Sequence, residues 1–168
     1  VTSDLDFYAH VATHGEVLGV GIGAQPAQWE AALGTDYLDT QDADLLRRDY
    51  GLVELSFQKD NDAWPCFGVS LQVHRLTHDT ESDVPAPLRD TYGEFAPTVR
   101  FEQLAAAIAR LGYTVEPEPD AAGTSDDIRR HRVTESGVRI FVRTPEGPQQ
   151  TDEVWSLSVS PAWWRYTG

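Results

Sequence analysis

Two histidine pairs in this sequence have the spacing at which imidazoles share a helix face and can hold a divalent metal: His10 with His14, and His74 with His78. No Glu follows His10, so the first pair is not the arrangement that adds a general base to two ligands. The second pair straddles the expected end of a strand, where helical spacing no longer brings the rings together. With 5 histidines in 168 residues such pairs arise by chance, so surface imidazoles are the plainer account. No metal and no other cofactor is expected. Cys66 follows Pro65 at the head of an apolar strand. A catalytic thiol needs a histidine base and a site that stabilises its thiolate, and without a local signature for either, a buried structural cysteine is expected. No serine sits in a nucleophile elbow, and with Lys59 as the sole lysine no Ser-x-x-Lys motif exists. The run Gly19-Val20-Gly21-Ile22-Gly23 has a phosphate-loop composition, but a dinucleotide fingerprint needs a strand before it and a βαβ unit around it. Here a helix precedes and antiparallel strands follow. No catalytic residue is assigned, and the chain reads as a non-enzyme.

Binding chemistry is better represented. The stretch 128–143 holds Arg129, Arg130, Arg132, Arg139 and Arg143 against Glu135 alone, five positive charges less one negative, or +4. Since the whole chain carries −14, the remainder carries −18. Strand alternation puts Arg139, Phe141 and Arg143 on one face, where two guanidinium groups flanking an aromatic ring can grip a carboxylate or phosphate. Pairing with nearby acids is the competing use. The acidic loops offer the opposite chemistry: Asp36, Tyr37, Asp39, Asp42 and Asp44 in one, and Asp60, Asp62 and Trp64 in another. Near the C-terminus come Trp163, Trp164 and Tyr166. Adjacent tryptophans cannot both face one side of a strand, so one indole is available for contact, and Trp and Tyr are favoured interface anchors.

These groups need a scaffold, and the hydrophobic pattern outlines one. Ser3 to His14 reads as a helix stopped by Gly15, and Pro26 to Leu33 as a second helix stopped by Gly34. Thr35 to Asp44 reads as an acidic connection. Val53, Leu55 and Phe57 alternate on a strand, Lys59 to Asp62 form a turn, and Phe67, Val69, Leu71 and Val73 line the next strand. Residues 79–97, with Pro85, Pro87 and Pro97, read as an acidic, proline-rich linker. Beyond it, Thr98 is placed to cap a helix through Phe101, Leu104, Ala105, Ile108 and Leu111, with Gly112 as its stop. An acidic loop from Glu116 to Asp127 follows, then Arg129-Arg130, a strand over Val138 to Arg143, a turn at Pro145 to Pro148, and a last strand over Val154 to Ser160. The order of the first half thus recurs in the second. The expected fold is α+β, an antiparallel sheet with helices on one face. The expected organisation is one domain, 1–168, with two tandem helix-hairpin units, 1–78 and 98–168, as an alternative description. Either half alone has a thin core, so both sets of helices on one continuous sheet would bury more surface.

Composition narrows the function. Thirteen basic residues against 27 acidic ones, with a pI near 4.5, argue against nucleic acid and against anionic lipid. No apolar run approaches the ~20 residues that span a bilayer. No basic-then-apolar leader opens the sequence, as would also hold for a processed chain, and one cysteine fits a reducing compartment. A cytoplasmic protein is expected.

From Gly19 to Arg75, the glycine-led short helix ending Leu33-Gly34 and the run Arg48-Asp49-Tyr50-Gly51-Leu52-Val53-Glu54-Leu55-Ser56-Phe57 resemble a known module. It is the helix-helix-strand module of the BamE-like outer-membrane assembly lipoprotein and beta-lactamase-inhibitor group. The stretch is similar, more specifically, to small acidic actinobacterial immunity-type proteins. The resemblance covers about a third of the chain, and the disulfides and signal segment of the inhibitor group are missing from it. It implies a protein-binding role with no catalytic residue. Acidic immunity proteins suit basic toxin domains, because opposite charge speeds encounter and aromatics slow release. The expected partner is therefore a basic protein of the toxin type, met by the acidic loops. The alternatives are a small-molecule or peptide site at Arg139, Phe141 and Arg143, or a metal-assisted enzyme using His10 and His14.

Overall fold

The computed structural model describes residues 3–118, 128–145 and 151–161. Helix α1 (Asp4–His14) begins where Ser3 and Asp6 close a capping box. The Ser3 backbone N–H donates to the Asp6 carboxylate at 2.8 Å, and the Asp6 N–H donates to the Ser3 hydroxyl. Gly15 ends it in the left-handed region, φ 68°. Helix α2 (Pro26–Leu33) has proline in its first turn and stops at Gly34. Four strands follow: β1 (Leu38–Asp42), β2 (Leu45–Asp49), β3 (Val53–Gln58) and β4 (Cys66–Leu71). A 3₁₀ helix (Val73–Thr77) leads to α3 (Thr80–Asp83), α4 (Ala86–Tyr92) and α5 (Phe101–Arg110). The second set of strands is β5 (Val115–Pro117), β6 (Ile128–Val133), β7 (Arg139–Arg143) and β8 (Glu153–Val159).

The eight strands of the described residues join one antiparallel sheet in the order β1-β2-β3-β4-β8-β7-β6-β5. Each half contributes a meander, and the two meet where β4 pairs with β8 through Val69↔Val159, Ser70↔Ser158 and Leu71↔Leu157. The fold is α+β, with the helices on one face. That face carries Val53, Leu55, Phe57, Val69, Leu71, Ile140, Val142, Leu157 and Val159, all buried. Against them pack Phe7, Tyr8 and Val11 of α1, Trp29 and Leu33 of α2, and Leu104 and Ile108 of α5, in one core cluster. Each such side chain contributes about 1.5–3 kcal/mol on leaving water.

Several local expectations give way to tertiary contacts. The acidic connection 35–44 contains β1, and the loop after Gly112 begins with β5. Both are edge strands, which need backbone pairing on one side only and no apolar alternation. Arg47-Arg48 and Arg129-Arg130 lie inside β2 and β6 and do not merely precede strands. A register shift at Ser56/Phe57 pairs Phe57 with Cys66 and Ser56 with Gly68, so Cys66, and not Phe67, takes the core position. The strand ends at Leu71, and Val73 reaches the core from the 3₁₀ helix.

The proline-rich segment 79–97 folds into α3 and α4 and buries Val84, Leu88 and Phe95. Its prolines start a helix: Pro85 is the N-cap residue of α4, and Pro87 sits in the first turn, where a missing N–H costs nothing. The Phe7 ring meets Tyr92 and Phe95 at 5.2 and 5.5 Å. Helix α5 is capped at Arg100 and not at Thr98, and its start is tied to the sheet by the Phe101 N–H, which donates to the Asp152 carbonyl at 3.0 Å. Leu111 is half exposed.

Gly51 is one position where no other residue fits. Its φ is 95°, and an added Cβ would lie 2.6 Å from the Asp83 carbonyl oxygen. There the β2–β3 turn docks on the end of α3, with the Leu52 N–H donating to that carbonyl at 2.7 Å.

Candidate functional site

The acidic edge of the sheet is organised by Arg48, which is 4 % exposed. Strand alternation on β2 turns Arg48 toward the helices and Arg47 toward solvent. Its Nε and Nη2 donate to the two Asp39 carboxylate oxygens at 2.9 and 3.1 Å, and its Nη1 donates to the Pro26 carbonyl at 3.0 Å. The Tyr37 ring covers the guanidinium 3.8 Å from its centroid. Tyr37 in turn donates from its hydroxyl to Glu30 at 2.7 Å and meets the Tyr50 ring edge-on at 5.3 Å. Burial pushes the Tyr50 hydroxyl up to about 12, against the opposing pull of Arg48, and it donates to the Gly34 carbonyl at 2.8 Å. One buried cation thus fastens β1 to β2 and to α2.

Of the acidic-loop residues, Asp39 and Tyr37 are therefore engaged within the protein, while Asp36, Asp42, Asp44, Asp60 and Asp62 are exposed. Two hairpin turns bring four of these together. The β1–β2 turn, with Ala43 at φ 54°, lies beside the β3–β4 turn, with Asn61 at φ 57°. The Lys59 N–H donates to the Asp44 carbonyl at 2.8 Å and joins them. Asp42, Asp44, Asp60 and Asp62 then share one end of the sheet with the only lysine. Asp36 stands at the opposite end of β1, beside a cavity of about 400 Å³ lined by Tyr37, Tyr50, Asp49, Arg75 and Asp83. Trp64 is half-buried against the core, and its backbone N–H donates to the Gln25 side chain at 2.8 Å. Trp163, Trp164 and Tyr166 lie outside the described residues.

The basic stretch is split between the two faces of the sheet. Arg130, Arg132, Arg139 and Arg143 lie on the face away from the helices, while Arg129, in register with buried Val142, lies on the helix side and pairs with Asp152 at 2.7 Å. Arg139 and Arg130 both approach Glu118, each at 3.4 Å, so the acids draw on this face as the competing account supposed. Arg143 stands apart from that cluster, 5.4 Å over the Trp155 ring. Trp155 is also stacked on His74, 4.2 Å between centroids and 5° from parallel. These residues, with His78 and Glu153, line a cavity of about 300 Å³. Phe141 is half-buried between the two arginines in sequence.

His10 and His14 do share a face of α1, stacked at 4.4 Å and 8°. Burial and the neighbouring His14 lower the His10 pKa, with Glu16 pulling the other way. Among the described residues no group of three or more His, Cys, Asp or Glu side chains is placed to hold a metal. Cys66 is buried, donates weakly to the Gly68 carbonyl at 3.3 Å, and is pushed up to about 11 by burial. At that value it is a thiol at neutral pH. No helix among the described residues is long and apolar enough to cross a membrane.

Sequence reasoning missed Arg48. The only available signal was its place beside Arg47 in a strand, where one of two neighbours must point inward. Comparison with family models, with curated proteins and with solved structures returns no match.

Proposed function

We propose that this chain is a non-catalytic, cytoplasmic protein-binding protein of the immunity type, which neutralises a basic toxin domain. The observation that carries the reading is the junction of two hairpin turns, where exposed Asp42, Asp44, Asp60 and Asp62 form one acidic rim on a chain of net charge −14. Such a rim concentrates negative potential where a basic surface docks, and steering of this kind raises association rates by 10-fold or more at low salt. The resemblance of residues 19–75 to immunity-type modules agrees with it. The test is affinity capture from the native host, followed by binding measurements on the reconstituted pair. The expected result is a stoichiometric basic partner whose association slows about tenfold when salt rises from about 0.05 to about 0.5 M. Replacing the four rim aspartates by asparagine should slow association likewise and leave the melting temperature nearly unchanged. Absence of a stoichiometric partner, or salt-insensitive binding, would remove the basis for the reading.

A second reading has one observation in its favour: the Trp155–His74 stack under Arg143 beside the 300 Å³ cavity. An aromatic floor with one cation suits a small carboxylate or phosphate ligand, or a peptide terminus. A ligand-dependent rise in melting temperature, lost in Arg143→Ala and kept in Arg139→Ala, is its signature, since Arg143 lines the cavity and Arg139 pairs with Glu118.

A further inference from the structure

A sheet of eight strands has two edges, and they are finished differently. In an antiparallel ladder, alternate residues turn their N–H and C=O toward one neighbour and the rest toward the other. On β2 the Asp44 carbonyl accepts from Lys59, and the Tyr50 N–H donates to the Val53 carbonyl. Even-numbered residues of this strand therefore bond to β3, and Leu45, Arg47 and Asp49 bond to β1. With Leu38↔Asp49, Thr40↔Arg47 and Asp42↔Leu45 in register, the backbone groups of Leu38, Thr40 and Asp42 are taken. Those of Asp39 and Gln41 point away from the sheet. The same arithmetic on the other edge starts from the Glu118 N–H donating to Arg130 and the Thr134 N–H donating to Thr114. It leaves Val115 and Pro117 pointing outward, and proline has no N–H to offer. The β5 edge is blunted in the way proteins protect such edges, whereas β1 has neither proline nor bulge.

We propose that β1 is a docking strand: an extended, basic segment of the partner adds to the sheet edge through the backbone of Asp39 and Gln41. This rests on the proposed basic partner and adds how that partner is held. Three observations favour it over other occupants. All five β1 residues are exposed, and Leu38 is 76 % exposed, an apolar anchor at the start of the strand. The strand is held rigid by the Asp39–Arg48 pair and the Tyr37–Glu30 hydrogen bond, so little ordering is lost on docking. Asp42 at its end and Asp36 and Asp44 on its flanks suit lysine or arginine at alternate positions of the incoming strand. A second copy suits it poorly. Antiparallel self-pairing centred on Thr40 sets Asp36 opposite Asp44 at both ends, between two molecules that each carry −14.

The probe is a short peptide alternating arginine and valine, with a glutamate-for-arginine control, added to the full chain at low salt. Backbone amide exchange is followed by NMR. The arginine peptide is expected to slow exchange at the Asp39 and Gln41 amides about tenfold or more, while the control peptide does not. Gln41→Ala should keep the effect, and Gln41→Pro, which removes one outward N–H, should lose it. If Gln41→Pro disturbs β1 itself, the exchange pattern of the unsubstituted chain decides. Peptide binding that perturbs Asp42, Asp44, Asp60 and Asp62 without protecting Asp39 and Gln41 overturns the docking strand and leaves the acidic-rim reading standing. No binding of the basic peptide at all counts against both. A free chain that is already dimeric, with both amides protected, assigns the edge to a second copy and also overturns the proposal.

Discussion

A guanidinium withdrawn from water is tolerable only while its donors are met, and Arg48 meets them with Asp39, the Pro26 carbonyl and the Tyr37 ring. Removing the carboxylate leaves the cation buried without its counter-charge. Asp39→Ala should therefore destabilise the protein by about 2–3 kcal/mol, at or below the low end of the range for a broken buried pair because the Asp39 side chain is one-third exposed. Urea midpoints at neutral pH measure this, and a change under 0.5 kcal/mol would mean that the pair does not hold the edge. Gly51→Ala tests a different cost. The left-handed φ and the 2.6 Å approach to Asp83 together should lower stability by about 2 kcal/mol or more. Cys66 gives a third measurement at this scale. Burial keeps its thiol protonated, so a thiol reagent at pH 8 should label it slowly in the folded chain and at once in urea. Rapid labelling without denaturant would contradict its placement on β4 facing the core.

Among the elements, the seam between β4 and β8 decides whether the halves act together. It is a short pairing, and its inward residues Leu71 and Leu157 are fully buried. Leu157→Ala should cost about 3 kcal/mol and should lower the stability of both halves in a single transition. Two separate transitions, followed by probes in each half, would show two independent cores. The segment 79–97 also belongs to this scale. It looks like a linker because its prolines interrupt any period, yet Pro85 and Pro87 open α4, and Leu88 and Phe95 reach the core beside Phe7.

For the whole molecule, charge sets how stability responds to solution conditions. His10 and His131 have pKa values lowered chiefly by burial, with His14 and Arg129 adding to the effect. A lowered histidine value means that the unfolded chain binds protons first. Stability is then full above the unfolded value near 6.5 and falls as pH drops through the folded values. Asp152, held by Thr144 and Arg129, and Glu135, held by the Thr114 backbone N–H, are lowered too. Their contribution is present above about pH 4 and is lost below it. Melting temperature should thus decline in two steps on acidification, and His131→Gln should flatten the first. A flat profile from pH 7 to 5 would show that these imidazoles are not shielded. At neutral pH moderate salt should raise the melting temperature, because screening relieves self-repulsion in a chain of charge −14.

The parts of the fold legible in the sequence are those whose signal is local. Ser3 and Gly15 bound a helix, Pro26 and Gly34 bound another, and Val53, Leu55 and Phe57 face the core because period-2 alternation has one solution once a face is buried. The net charge of −14 is likewise a property of composition alone. What depends on which segments lie side by side was settled by the tertiary structure. β1 and β5 are strands because β2 and β6 offer them a backbone to pair with, not because their side chains favour it. Arg48 is buried because Pro26 of α2 and the segment carrying Tyr37 and Asp39 come to it from two places. The acidic loops are one rim only where Lys59 meets Asp44. Local patterns report what a segment buries, whereas an edge and a rim are made by which segments lie side by side, and no short window of sequence contains that information.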